Sequence, residues 1–331
     1  MKTNREPDQA TDPTLSVSLS ADRAGRHAIS VGLAGWGGHG SLYAPGTAQK
    51  EKLARYAEHF RVVEMDNAFY GVQPPDRMAR YAAETPDGFG FIVKAYQDMT
   101  GHQRGKPYYE SDEEMYRAFR ESLVPLQDAG KLTAALFQYP PWFDCTRENV
   151  RLLRETKKRM AGFPCALEFR HQSWFAPEYR EKTLDFMRGE GWIHVICDEP
   201  QAGPGSVPIV PVPTDSSFTL VRMHGRNISA WNRGERGSGK GDPNHWREVR
   251  YLYDYNKDEL AEWRDRATRL LADCSEVCVI FNNNSGGHAA GNAKQFMHML
   301  GMPLPEAQQP PESQQPPEQS EQPEQLDLFG K

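Results

Sequence analysis

No run of apolar residues in this 331-residue chain approaches the ~18 needed to span a bilayer. Residues 1–27 lack the apolar core of a signal peptide. These two absences predict a cytoplasmic protein without a membrane partner. Cysteine is scarce and odd in number: Cys145, Cys165, Cys197, Cys274 and Cys278. None forms a Cys-x-x-Cys pair, which argues against a zinc ribbon or finger, and three sit in apolar, strand-like runs. That is the pattern of reduced, buried thiols, not of a disulfide framework. A basic excess is also missing. The formal net charge is −6, so bulk charge does not make the chain a nucleic-acid binder, and any such binding has to come from a local patch.

The charge that is present is unevenly placed. Residues 303–331 carry six acids and one lysine, and residues 1–28 carry four charges of each sign, so the stretch 29–302 is nearly neutral. Both ends are polar and aperiodic, and 303–324 is mostly Pro, Gln, Glu and Ser. Such composition cannot bury enough surface to offset ordering entropy and predicts disordered tails around one folded domain at 29–302.

That middle alternates between short apolar runs and helical patterns. Strands are predicted at Ile29–Ala34, Val62–Met65, Gly90–Lys94, Ala134–Gln138, Cys165–Phe169, Ile193–Cys197, Thr219–Met223 and Val277–Phe281. Helices are predicted at Gln49–His59, Pro75–Ala83, Asp112–Gln127, Arg147–Met160, Pro177–Arg188, Lys257–Leu271 and Ala289–Leu300, with Thr47, Asp112 and Thr146 as N-caps. The Pro-rich link Glu199–Phe218 predicts no full helix. Eight strands with intervening helices fit an α/β fold, a single (β/α)8 TIM-type barrel. The alternative, an open doubly wound sheet, would carry a Gly-x-Gly-x-x-Gly turn after its first strand. Gly35-Trp36-Gly37-Gly38-His39-Gly40 lacks that spacing.

In a barrel, chemistry gathers where strands end. The predicted strand ends carry Trp36 and His39; Glu64, Asp66, Asn67 and Tyr70; Lys94; Gln138; Glu168, Arg170, His171 and Trp174; Asp198 and Glu199; Arg222, His224 and Arg226; and Asn282, Asn283 and Asn284. Alternation places Glu168 with Arg170, and Arg222 with His224, on common faces. One pocket of mixed carboxylates, guanidiniums, a lysine and an imidazole is therefore predicted, alongside the plainer reading that some of these are structural ion pairs. Glu64, Lys94, Glu168, Asp198 and His224 are the candidate catalytic groups. Trp36, Asn67, Tyr70, Gln138, Arg170, His171, Trp174, Arg222, Arg226, Asn282 and Asn283 are the candidate substrate contacts.

Gly35-Trp36, Glu64 to Tyr70, Phe91 to Lys94, Phe137 to Pro141, Glu168 to Phe175, Val221 to Arg226 and Phe281-Asn282-Asn283 together resemble the family called domain of unknown function 72, over about residues 29–302. The resemblance implies a TIM-type barrel with a polar pocket at its C-terminal face, and no established reaction. Some members have been compared with the endonuclease IV barrel. This sequence lacks that enzyme's full set of zinc-binding histidines, which counts against a tri-zinc nuclease. The candidate ligands are mainly oxygen donors, compatible with magnesium or manganese, and no nucleotide cofactor is expected. The stretch Arg222–Arg250 is basic and glycine-rich, with Trp231 and Trp246 interleaved, a composition suited to gripping phosphates. Its Gly234-to-Lys240 segment nearly has Walker A spacing. Gly241 replaces the Ser/Thr, and Asp242-Pro243 breaks the helix start, so a nucleoside triphosphatase is rejected.

Near the C-terminus, Gln325-Leu326-Asp327-Leu328-Phe329 resembles the peptide with which bacterial DNA polymerases and repair proteins dock on the replicative sliding clamp. The resemblance implies a clamp partner and a place at DNA. The leading expectation is a repair-associated hydrolase or lyase tethered to the clamp. The alternatives are a hydrolase or isomerase of a small anionic metabolite or sugar, and a non-catalytic adaptor at the clamp.

Overall fold

The computed structural model describes residues 28–103, 105–231 and 249–304. The peptide Gln325–Phe329, Trp246 and most of the basic stretch after residue 231 lie outside the described residues.

Eight parallel strands close into one barrel in chain order. They are β1 (Ile29–Ala34), β2 (Val62–Met65), β3 (Gly90–Lys94), β4 (Leu132–Gln138), β5 (Cys165–Glu168), β6 (Ile193–Asp198), β7 (Phe218–Met223) and β8 (Glu276–Phe281). Closure comes from β8 pairing with β1, Val277 opposite Ile29 through Phe281 opposite Leu33. The strands are Val/Ile/Leu/Phe-rich because each is buried on both faces, by the barrel interior and by a helix layer. Val63, Phe91, Leu136, Leu167, Leu220 and Val279 are all sealed from solvent.

The helices are α1 (Lys52–Ala57), α2 (Asn67–Tyr70), α3 (Pro75–Ala83), α4 (Asp112–Asp128), α5 (Arg147–Arg159), α6 (Arg180–Glu190), α7 (Ile228–Trp231), α8 (Lys257–Leu270) and α9 (His288–Met299). Their starts follow from local hydrogen bonding. Thr146 caps α5, accepting from Asn149 N. Asn256 caps α8 in a reciprocal box with Glu259. Two expected caps move. Ser111, not Asp112, caps α4, which leaves Asp112 in the first turn, where a carboxylate suits the helix dipole. Thr47 closes a turn onto Ala44 O instead, and a 3-10 turn at Gln49–Glu51 precedes α1. As predicted, no helix joins β6 to β7. Among the described residues, no helix is long and apolar enough to cross a membrane.

Gly32 marks the tightest strand contact. A Cβ there would lie 2.1 Å from Val62 O, so β1 approaches β2 closely only because the side chain is absent. Gly32→Ala is predicted to cost about 1–3 kcal/mol, the usual penalty of overpacking, read as a lower denaturant midpoint at unchanged slope. An unshifted midpoint would show that the β1–β2 seam has slack.

Candidate active site at the barrel mouth

Arg222, near the end of β7, reaches across the barrel. Its Nε donates to Glu64 Oε2 of β2 at 2.8 Å, its Nη2 donates to Glu64 Oε1, and its Nη1 donates to Glu168 Oε2 of β5 at 2.5 Å. Arg170, two residues past Glu168 and so on the same face, donates Nη1 to Glu168 Oε1 at 3.1 Å. Its Nη2 lies 3.1 Å from Glu199 Oε2, and Glu199 Oε1 accepts from Val207 N at 2.6 Å. His224 places Nε2 3.3 Å from Glu168 Oε1, and Asn282 Nδ2 sits 2.9 Å from its Nδ1. The same Nε2 lies 3.3 Å from Arg170 Nη1, so it sits between a carboxylate acceptor and a guanidinium donor. All five charged residues and His224 are at most 3% exposed. Trp231 of α7 roofs the group, with its ring 4.9 Å from the Arg170 guanidinium and 4.0 Å from that of Arg250.

Burial and pairing divide these groups into fixed and titrating ones. Burial pushes the Glu168 carboxyl up, but Arg222, His224 and Arg170 outweigh it and hold it well below the usual range. Burial wins at Glu64 and Glu199, raising each to about 7 against Arg222 and Arg170 respectively. Burial drives His224 down to about 3, so its imidazole is neutral near pH 7. Three carboxyls thus face two guanidiniums with a neutral imidazole between them. A sealed net charge is costly, so one proton is held near neutrality by Glu64 and Glu199.

The other predicted residues separate from this network. Lys94 lies at the mouth, 3.6 Å from Asp66 Oδ1, with side chains 16% and 37% exposed, and its ammonium sits 4.9 Å above the Phe69 ring. Asn67 is exposed, Gln138 half-buried, and Tyr70 62% exposed. Asp198 and Arg226 form an outer group: Arg226 Nε lies 3.0 Å from both Asp198 oxygens and its other nitrogens reach Glu259 and Glu262 of α8. Arg170 and Arg226 are therefore committed to carboxylates, whereas Lys94 reaches the open mouth. His171 caps the short turn Gln172–Phe175. Trp174 has its faces filled, stacked 4.0 Å from Phe169 and 5.7 Å from Phe143. Asn283 binds Tyr253 O and Asn292 Oδ1. Trp36 packs edge-on against Tyr81 and lines, with Asp66 and Asn67, a cavity of about 660 Å³.

Asp66 and Glu199, both strand-end residues in the sequence, fall at the mouth and in the buried network respectively. Tyr70 is joined by Phe69, His102 and Trp142, which the strand-end reading did not single out, in an aromatic lip. Phe69 contacts Tyr70 and His102, both at 5.2 Å, and His102 contacts Trp142 at 5.9 Å. These rings come from the loops after β2, β3 and β4, and Trp142 is 54% exposed. The signal was present as aromatic residues four to eight positions beyond strand ends, outside the strand termini themselves.

The family described as Protein of unknown function DUF72 matches residues 30–319. The chain belongs to that family. DUF72 relatives agree with it closely in sequence and shape. UPF0759 protein YunF of Bacillus subtilis (strain 168) is 53% identical over 272 residues, spanning 82% of this chain and 94% of that protein. A DUF72 family protein from Enterococcus faecalis V583 is 37% identical with a TM-score of 0.76, covering 83% of this chain and 96% of its own. One from Thermotoga maritima MSB8 is 29% identical with a TM-score of 0.68, covering 83% and 100%. None of these names an activity, so the chemistry rests on the site.

Among the described residues, one group of His, Cys and carboxylate donors lies within metal-ligating reach: Glu168, Cys197 and His224, with atoms within 4.8 Å of one another. They do not fit a magnesium or manganese ion. Both Glu168 oxygens already accept from Arg222 and Arg170, burial pushes the Cys197 thiol up so that it keeps its proton, and thiol and imidazole are poor ligands for those hard cations.

Two outcomes test the network. Arg222→Met leaves buried Glu64 without its cation and Glu168 with Arg170 alone and is predicted to cost about 3–5 kcal/mol, while Glu64→Gln/Glu168→Gln/Arg222→Met recovers part of that loss. Equal destabilisation in both variants would show that Arg222 acts through packing. The pH dependence has a definite sign. Glu64 and Glu199 have folded values near 7, above the ordinary carboxyl value, so the native state binds more protons between those limits. Stability therefore falls as pH rises from the ordinary carboxyl value through about 7 and levels off above it, with a slope approaching about 1.4 kcal/mol per pH unit for one proton. Glu199→Gln flattens that slope in urea titrations between pH 5 and 8; an unchanged slope would place the proton elsewhere.

Proposed function

We propose that this DUF72 protein is a hydrolase or lyase acting on nucleic acid or a damaged nucleotide, at the mouth formed by the loops after β2, β3 and β4. The observation that carries this reading is the Lys94–Asp66 pair, open to solvent at 3.6 Å, placed over the aromatic lip and backed by a buried network with one carboxyl in excess. Lys94 offers a cation for a phosphate or a developing oxyanion. Asp66, two residues beyond Glu64, is the outermost carboxylate and the candidate to exchange a proton with substrate. Glu64, Glu168, Arg170, Arg222 and His224 lie beneath and act as positioning residues that fix the field under the mouth. Phe69, Tyr70, His102 and Trp142 provide ring faces on which an unpaired base can stack. The peptide Gln325–Phe329 supports a link to DNA: Leu326, Leu328 and Phe329 would anchor in the clamp pocket, with Gln325 at its rim.

A small anionic metabolite is the second reading, favoured by the near-neutral charge of residues 29–302. Turnover of single-stranded, abasic and branched DNA by the full chain separates the two. Lys94→Ala is predicted to lower turnover by about a hundred-fold or more, the scale of a lost electrostatic contact, at an unchanged melting temperature. Turnover that survives Lys94→Ala would remove Lys94 from the chemistry. For the tether, a labelled peptide spanning 318–331 is predicted to bind the sliding clamp with micromolar affinity and to lose it in Leu328→Ala/Phe329→Ala; equal binding by both would sink the docking role.

A further inference from the structure

A second feature lies beside the mouth, on the flank between α5 and α6. A cavity of about 580 Å³ opens there, lined by Cys145, Val150, Trp174, Tyr179 and Phe186 and rimmed by Arg147, Arg151, Arg154 and Lys182. No carboxylate is among its lining residues. Arg147, Arg151 and Arg154 recur at helical spacing along one face of α5, so successive guanidiniums rise by about 5–6 Å. Glu148 and Glu155 flank Arg151 at helical spacing, but neither is within ion-pair distance of it or lines the cavity.

These cations are unequally engaged. Arg154 pairs with Glu190 at 2.8 Å and lies 5.4 Å over the Phe186 ring. Lys182 sits 5.8 Å over the Tyr179 ring and has no ion pair among the described residues. Arg147 and Arg151 are exposed, and neither has an ion pair or side-chain hydrogen bond among the described residues. An apolar floor with cations along its rim suits a ligand that is flat and apolar on one side and repeatedly anionic on the other. Electrostatics alone would scatter such cations over the surface, whereas here they converge on a concavity.

The position of the groove matters as much as its charge. Both helices begin just after loops that leave the C-terminal ends of β4 and β5, so the groove opens on the same end as the mouth. Cys145 stands three residues beyond Trp142 of the aromatic lip. One loop thus joins the ring faces to the cationic rim.

We infer that this groove binds the phosphodiester backbone of a single nucleic-acid strand whose next bases lie on the lip formed by Tyr70, His102 and Trp142. The inference rests on the nucleic-acid reading above and deepens it by assigning where the strand leaves the mouth. A free polyphosphate shares the phosphate chemistry but lacks bases and sugars for the floor of Val150, Tyr179 and Phe186.

Cys145 supplies a local reporter. It is partly exposed, whereas the other four cysteines are buried, and burial together with Asp144 raises its thiol pKa, so alkylation by neutral iodoacetamide is followed at alkaline pH by mass spectrometry. The full-length protein is assayed alone, with an oligothymidylate of about twelve nucleotides, within the usual site sizes for single strands, and with tripolyphosphate. The oligonucleotide is expected to slow Cys145 alkylation several-fold. Arg147→Gln/Arg151→Gln, a mild change on an exposed helix face, is expected to abolish that protection. It should also lower the salt slope of oligonucleotide binding by about 1.4, the loss of two phosphate contacts. Oligonucleotide binding by fluorescence anisotropy without Cys145 protection would overturn the groove and leave the nucleic-acid reading standing. Protection by tripolyphosphate with no oligonucleotide binding would overturn both the strand assignment and that reading, making the groove a small-polyphosphate site.

Discussion

Arg222 is the strut on which the mouth of this barrel depends. It is one of two guanidiniums in a sealed cluster and the one that ties together strands far apart in the barrel, joining Glu64 of β2 to Glu168 of β5 from its own place on β7. Two ionised or half-ionised carboxyls could not share this interior without it. Its presence fixes the state of its neighbours. Glu168, held by Arg222, Arg170 and His224, stays ionised. His224, dry and flanked by guanidiniums, stays neutral. What remains is one carboxyl in excess, and that surplus is the only labile protonation the cluster contains near pH 7.

A barrel interior is ordinarily closed by layers of branched apolar side chains. Here the lower layers keep that composition, and the uppermost one is replaced by ions. Such a replacement rarely improves stability, because desolvating the partners costs about as much as their attraction returns. Its physical effect is directional: a fixed set of charges and dipoles points at the open end, where Lys94 and Asp66 meet solvent. Trp231 strengthens that field by excluding water from Arg170 on one side of the mouth. The open side, toward the loops after β2, β3 and β4, carries the exposed rings.

Strand alternation made much of this readable in advance. The eight strand positions follow from short apolar runs, the absence of a helix between β6 and β7 from the Pro-rich link, and the shared faces of Glu168 with Arg170 and of Arg222 with His224 from period-two alternation. Alternation gives direction but not reach. An arginine side chain spans enough distance to choose among several strands, so the sequence did not reveal that Arg222 bridges to Glu64, or that Arg226 turns outward to Asp198 and α8. Glu199 was visible at the end of β6, but at the start of a Pro-rich link no periodicity assigned it a face or a partner. Trp174 and Trp231 looked like free stacking surfaces because composition does not distinguish an aromatic ring enclosed by Phe143 and Phe169, or pressed onto Arg170, from one facing solvent.

The division between buried and exposed charge also bears on specificity. Charges locked in the cluster cannot move to meet a ligand, so they cannot discriminate by induced contact; they set only the potential. Under the nucleic-acid proposal, discrimination falls to groups at the rim, namely Lys94, the lip rings, and Arg147 and Arg151, which have no ion pair among the described residues. These belong to βα loops and to the first turns of the helices that follow, the parts of a barrel that vary without disturbing its closure. The residues that would distinguish a nucleic-acid strand from a small metabolite therefore lie outside the network that first draws attention.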